Sequence, residues 1–97
     1  MGDQSGDAVA PSVSSGPKPA SPASVELGRR VRARREELGL SLEALSELSV
    51  LHWTYIGRVE RGMPNPTLHS ILRIADVLQL DAGELITGLQ APRPEDA

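Results

Sequence analysis

Cysteine and phenylalanine are absent from this 97-residue chain, and Trp53 and Tyr55 are its only aromatic residues. Without cysteine there is no disulfide framework and no thiolate metal site. With two aromatics, both in one seven-residue run, any core must be aliphatic, which suits packed helices better than a β-sandwich. No apolar run approaches the roughly 20 residues needed to span a bilayer. The N-terminus also lacks a basic segment followed by an apolar one, so a secretory signal is not expected and the cytoplasm is the default location. An excess of positive charge is missing too, since the formal net charge is −3. From residue 25 to 90 there are 8 Arg against 9 acidic residues, so the candidate domain is close to neutral. A neutral module binds nucleic acid only if its charges are segregated, and weakly in salt unless it dimerises.

The furniture of catalysis is equally sparse. His52 and His69 have no metal-ligand carboxylates at motif spacing, and there is neither a Gly-rich phosphate loop nor a nucleophile with a base. The reading is therefore not an enzyme, with no metal, no cofactor and no small-molecule ligand; His69 is an ordinary surface residue.

What is present divides into two tails and a domain. Residues 1–23 contain Pro11, Pro17, Pro19 and Pro22 among Ser, Gly and Ala, with Lys18 the one basic residue. Such a segment buries too little to offset its chain entropy and is expected to be a disordered tail. The domain is expected over 24–90, opening with Ser24 as N-cap and a first helix to about Leu38, stopped by Gly39. Leu27, Val31 and Leu38 mark its inner side, and Arg29, Arg30, Arg32, Arg34 and Arg35 make the chain's one dense basic cluster. Thr67 caps a fourth helix whose stripe, Leu68, Ile71, Leu72, Ala75 and Leu78, has helical spacing. Asp81 and Glu84 stand at capping-box spacing for a short fifth helix. Residues 91–97 are expected to be a flexible end.

The centre of the chain is Leu40–Gly62. Ser41 can cap a second helix at about 42–49, Val50 and Leu51 fall in a bend, and a third helix runs over about 52–61. Leu42, Leu45, Ile56 and Val59 can share a core, whereas His52 to Arg58 is a run of large or polar side chains that a core would not select. A buried face beside an exposed one rich in hydrogen-bonding groups is the logic of a helix-turn-helix. Ile74, Val77, Leu85, Ile86 and Leu89 exceed what the fourth and fifth helices need inside. A domain of this size has a marginal core, so these residues are expected to form a homodimer surface.

Landmarks along Leu27–Ile86 resemble the Cro/C1-type (Xre-like) helix-turn-helix regulators of bacteria and phages. They are L-G at 27–28, G-L-S at 39–41, E-x-L at 43–45, Y-I at 55–56, V-E-R-G at 59–62, N-P-T-L at 65–68, I-A at 74–75 and E-L at 84–85. The wording L-H-x-T-Y-I-G at 51–57 is most similar to restriction–modification controller proteins. The resemblance implies an all-α, five-helix, lambda-repressor-like domain with its third helix in the major groove of double-stranded DNA. It implies a transcription regulator, a repressor or an activator, that acts as a dimer on two half-sites, and the reading taken is a repressor on a palindromic operator. Base contacts would come from Trp53, Thr54 and Arg58, and phosphate contacts from His52, Tyr55, Arg61, Asn65 and Thr67. Arg35 and Glu60 would form a structural ion pair between the first and third helices.

Three positions depart from the family pattern: Val50 replaces a turn glycine, Leu42 a glutamine, and Trp53 an Arg or Gln. They leave a second reading open, a module of the same fold that binds a regulatory protein through Trp53 and its neighbours. Arg58, Arg61, Asn65 and the basic cluster favour DNA.

Overall fold

The computed structural model describes residues 20–94, and within them the regular structure is helical throughout. Residues 1–19 and 95–97, which hold most of the expected tail and the last part of the expected flexible end, lie outside the described residues.

Helix α1 spans Pro22–Glu37 and starts earlier than the sequence suggests. Ser21, not Ser24, is the N-cap: its hydroxyl accepts from the Ser24 amide at 3.2 Å, and the Ser24 hydroxyl accepts from the Ser21 amide at 3.0 Å. Pro22 fits the first helical position because its missing N–H would have no partner there. Leu38 caps the other end and Gly39 takes the left-handed conformation at φ +70°.

Helix α2 is Leu42–Ser49, capped by Ser41; α3 is Trp53–Glu60; α4 is Leu68–Val77, capped by Thr67. The last helix, α5, is Ala82–Ile86, where the Glu84 carboxylate accepts from the Asp81 amide at 3.2 Å. Helix α1 packs on α3 and α5, α2 packs on α3 and α4, and α4 packs on α5.

The core is wholly aliphatic: Leu27, Val31, Leu45, Ile56, Val59, Ile74, Ala75, Leu78 and Leu85. Leu42 sits at its margin, half-buried. Two expectations about this core need correction. In α4 the inward face is Ile71, Ile74, Ala75 and Leu78, while Leu68 and Leu72 point outward. Ile71, Ala75 and Leu78 of the expected stripe do face inward; apolar residues stand on both sides of α4, and Ile74 takes the inward place expected of Leu68 and Leu72. In consequence Ile74 and Leu85, each 1% exposed, are interior and cannot serve as a dimer surface.

Helices α1 and α3 cross so closely that Gly28 has no room for a side chain. A Cβ there would lie 2.4 Å from the carbonyl oxygen of Val59 and 2.6 Å from that of Glu60. The same crossing is tied by Arg35, whose Nε and Nη2 donate to the Glu60 carboxylate at 2.6 and 3.0 Å. Its Nη1 donates to the Leu40 carbonyl at 2.9 Å. Both side chains are largely enclosed, and the hydrogen bonds to Glu60 raise the Arg35 guanidinium above its ordinary value. Among the described residues no helix is long and apolar enough to cross a membrane.

Candidate nucleic-acid interface

The bend between α2 and α3 is built from serines and one strained residue. Ser49 Oγ donates to the Leu45 carbonyl at 2.6 Å and Ser46 Oγ to the Leu51 carbonyl at 2.5 Å, while the Leu51 amide donates to the Ser46 carbonyl at 3.2 Å. Val50 closes the helix in the left-handed region, φ 60° and ψ 35°, with its side chain in solvent. A β-branched residue is poorly suited to that conformation. The turn therefore keeps the geometry a glycine would favour and carries strain.

His52 is the N-cap of α3. Its Nδ1 accepts from the Thr54 amide at 3.2 Å and also lies 2.6 Å from Thr54 Oγ1. The Trp53 ring stacks against the imidazole, with centroids 5.7 Å apart and planes 25° from parallel. Trp53, Thr54 and Arg58 are exposed along one side of α3, and Arg61 follows at its end. Together with Leu42 and Gly57 these four residues line a hollow of about 180 Å³. Gly57 is the residue sequence reasoning missed. A Cβ there would meet Arg61 Nη1 at 3.2 Å, so its bareness lets the guanidinium lie back along α3. The signal was a glycine inside a helix, which costs about 1 kcal/mol relative to alanine and calls for a local reason.

Charge on the two basic helices is handled differently. Every arginine of α1 is paired: Arg29 and Arg30 with Glu26, Arg32 with Glu36, Arg34 with Glu37, and Arg35 with Glu60. Hydrogen bonds from Arg29 and then Arg30 hold the Glu26 carboxyl down at about 2. Arg30 and Arg34 are further committed to the carbonyls of Thr87 and Leu78. Arg58 and Arg61, by contrast, have no acidic partner among the described residues. Among the described residues, the arginines of these two helices that lack an acidic partner are therefore Arg58 within α3 and Arg61 at its C-cap.

The remaining candidates sit between α3 and α4. Tyr55 is half-buried, and its hydroxyl accepts from the Thr67 amide at 3.2 Å. Burial pushes the phenol up, but hydrogen bonds with the Ser70 side chain and with Thr67 outweigh it and leave it below its ordinary value. Thr67 Oγ1 in turn donates to Ser70 Oγ at 2.8 Å and accepts from the Ser70 amide at 3.1 Å. Both Thr67 donors thus have internal partners in this structure. The amides of Leu68 and His69 are left without a partner among the described residues. Asn65 is exposed in the loop, in the left-handed region at φ 55°. Among the described residues no cluster of His, Asp and Glu could hold a metal ion.

A family model described as a helix-turn-helix domain matches residues 26–96. The control protein C.SmaI of Serratia marcescens is 43% identical over 61 residues, covering 63% of this chain and 73% of that protein. The restriction-modification controller protein C.AhdI of Aeromonas hydrophila superposes with a TM-score of 0.62 at 44% identity, covering 64% of this chain and 94% of that one. The P22 c2 repressor protein, solved in complex with a synthetic operator, superposes with a TM-score of 0.60 at 29% identity, over 64% of this chain and 94% of its own.

Proposed function

The chain belongs to the helix-turn-helix domain family and is related to the restriction–modification controller proteins, and from that premise we propose that it is a sequence-specific regulator of transcription. In this reading a homodimer lays α3 of each protomer in the major groove of a palindromic operator, with repression as its effect. The observation that carries it is that Arg58 and Arg61, beside exposed Thr54, have no acidic partner among the described residues, whereas every arginine of the α1 cluster is ion-paired. Near-zero net charge is then no obstacle, because the positive charge is concentrated where the groove would be.

The roles follow from chemistry. Arg58 suits a guanine, giving two parallel bonds to O6 and N7. Thr54 meets the neighbouring base edge and Trp53 the base or sugar beside it. Arg61, Asn65, the Nε2–H of His52 and the amides of Leu68 and His69 serve phosphates, which set register without reading sequence. Tyr55 acts first as the strut that holds the α4 N-terminus against α3, and Arg35–Glu60 as the strut between α1 and α3.

Selection of bound duplexes from a random pool with the purified full-length protein tests this. A palindrome with half-sites about one helical turn apart is expected, with Arg58→Ala relaxing one base position in each half. If no sequence is enriched, the reading is wrong. The half-exposed Trp53 would then mark the surface to probe for a protein partner.

A further inference from the structure

Resting on the DNA reading, we infer that Thr54 has a fixed polarity: its hydroxyl oxygen is held as an acceptor, so the base atom it reads is an exocyclic amine, adenine N6 or cytosine N4. The argument starts at His52. The Thr54 amide, 3.2 Å from Nδ1, can only donate, so this ring nitrogen presents its lone pair and the ring proton is on Nε2. A nitrogen with its lone pair turned to α3 is also an acceptor for the second group that touches it. The 2.6 Å contact is therefore Thr54 Oγ1 donating its proton to Nδ1, the two donors sharing one lone pair.

What remains on Oγ1 for the groove is lone pairs alone. The major-groove edge carries acceptors at guanine N7 and O6, adenine N7 and thymine O4, and donors at adenine N6 and cytosine N4. A free threonine can serve either kind. Thr54 can serve the donors only, and turning its proton outward would break the bond to His52.

Trp53 acts in the same device. Its ring makes an offset stack with the imidazole, 5.7 Å between centroids, and this contact supports the ring plane in which Nδ1 is turned toward the start of α3. In this role His52 and Trp53 are positioning residues that act through Thr54. This gives the unexpected indole a task that an Arg or Gln at position 53 would not perform.

The experiment uses the full-length protein and its selected duplex. Thr54→Val first identifies the base pair whose preference depends on the hydroxyl. At that pair, the contacted base is replaced by its analogue lacking the exocyclic amine, purine for adenine or 2-pyrimidinone for cytosine. In a separate duplex the purine N7 is removed as a 7-deaza base. Loss of the amine is expected to weaken wild-type binding about threefold to tenfold, the range of one neutral hydrogen bond, and to leave Thr54→Val unchanged. Loss of N7 should leave wild type unchanged. His52→Ala should shrink the amine penalty, because the freed hydroxyl can turn and donate. A mere capping role would lower affinity for both duplexes by one factor and leave the penalty intact. A penalty from the 7-deaza base instead, no dependence on Thr54, or an undiminished penalty in His52→Ala overturns the inference. Failure to select any sequence overturns it as well, by removing the base, and is seen before any analogue is made.

Discussion

Val50 shows the most direct link from one side chain to stability. An L-residue in the left-handed region stores on the order of 1–3 kcal/mol, and the exposed Val50 side chain recovers none of it by packing. Val50→Gly removes the strain at an unfolded-state entropy cost of about 0.5–1 kcal/mol. The variant should gain about 1 kcal/mol, raising the melting temperature by about 4–8 °C for a domain of this size; an unchanged or lower melt would show that the turn is not strained. Glu60 lies at the opposite extreme. It is enclosed with Arg35 in a two-point ion pair, and Glu60→Ala leaves a guanidinium buried without its anion. Breaking such a pair costs about 3–5 kcal/mol, so this variant should be close to unfolded at 37 °C, whereas an ordinary melt would mean that solvent reaches Arg35. Glu26 is a milder case with a pH signature. Its folded carboxyl is depressed from 4.5 to about 2, so its contribution is present above pH ~4.5 and is lost as the pH falls toward 2. Melts of wild type and Glu26→Gln should differ at neutral pH in low salt and converge near pH 2.

At the scale of elements, the α1–α3 crossing decides whether α3 is held in place at all. Gly28→Ala drives a methyl group into two backbone carbonyls, which have no rotamer with which to escape. Overpacking of this kind costs typically 1–3 kcal/mol, and here the upper end is expected, with loss of DNA binding following loss of the melt; a neutral Gly28→Ala would disprove the close crossing. The L-G landmark at 27–28 was legible in the sequence, but its reason was not, because only the packed pair of backbones shows why a side chain is excluded. Helix α4 teaches the same lesson about phase. Its periodicity announced a helix, yet with Leu68, Ile71, Leu72 and Ile74 all apolar the spacing fits two faces, and only packing against α2 and α5 selects Ile74 over Leu72. Leu72→Asp should therefore leave the melt within about 0.5 kcal/mol of wild type, while Ile74→Asp should abolish folding. At the candidate site, the residue types along α3 could be read directly. The Tyr55–Thr67 hydrogen bond and the pairing of every α1 arginine could not, since both depend on how helices distant in sequence are set against each other.

For the whole molecule, charge pairing changes what eight arginines between residues 25 and 90 imply. Five of them are paired on α1, with four carboxylates between them, and Arg73 lies apart on α4, so in the proposed complex, with Arg58 on a base, α3 of each protomer brings little more than Arg61 to the phosphates. Each phosphate neutralised contributes about −0.9 to the slope of log K against log salt, which gives a slope of about −1 to −2 per protomer. One protomer with so few ionic contacts would hold DNA poorly at physiological salt, and the proposed second copy doubles them. The surface for it is narrower than the sequence suggests: with Ile74 and Leu85 inside the core, Ile86 is the exposed apolar residue left from that group, flanked by half-buried Val77 and Leu89. Ile86→Asp, at a position 47% exposed, should keep the monomer folded while sedimentation shows the dimer lost. Its salt slope on the selected palindrome should then fall to half the wild-type value, because only one protomer's phosphates remain engaged. A variant that still sediments as a dimer would move the interface off α5. A monomeric variant that kept the full slope would mean instead that the two protomers meet only on DNA.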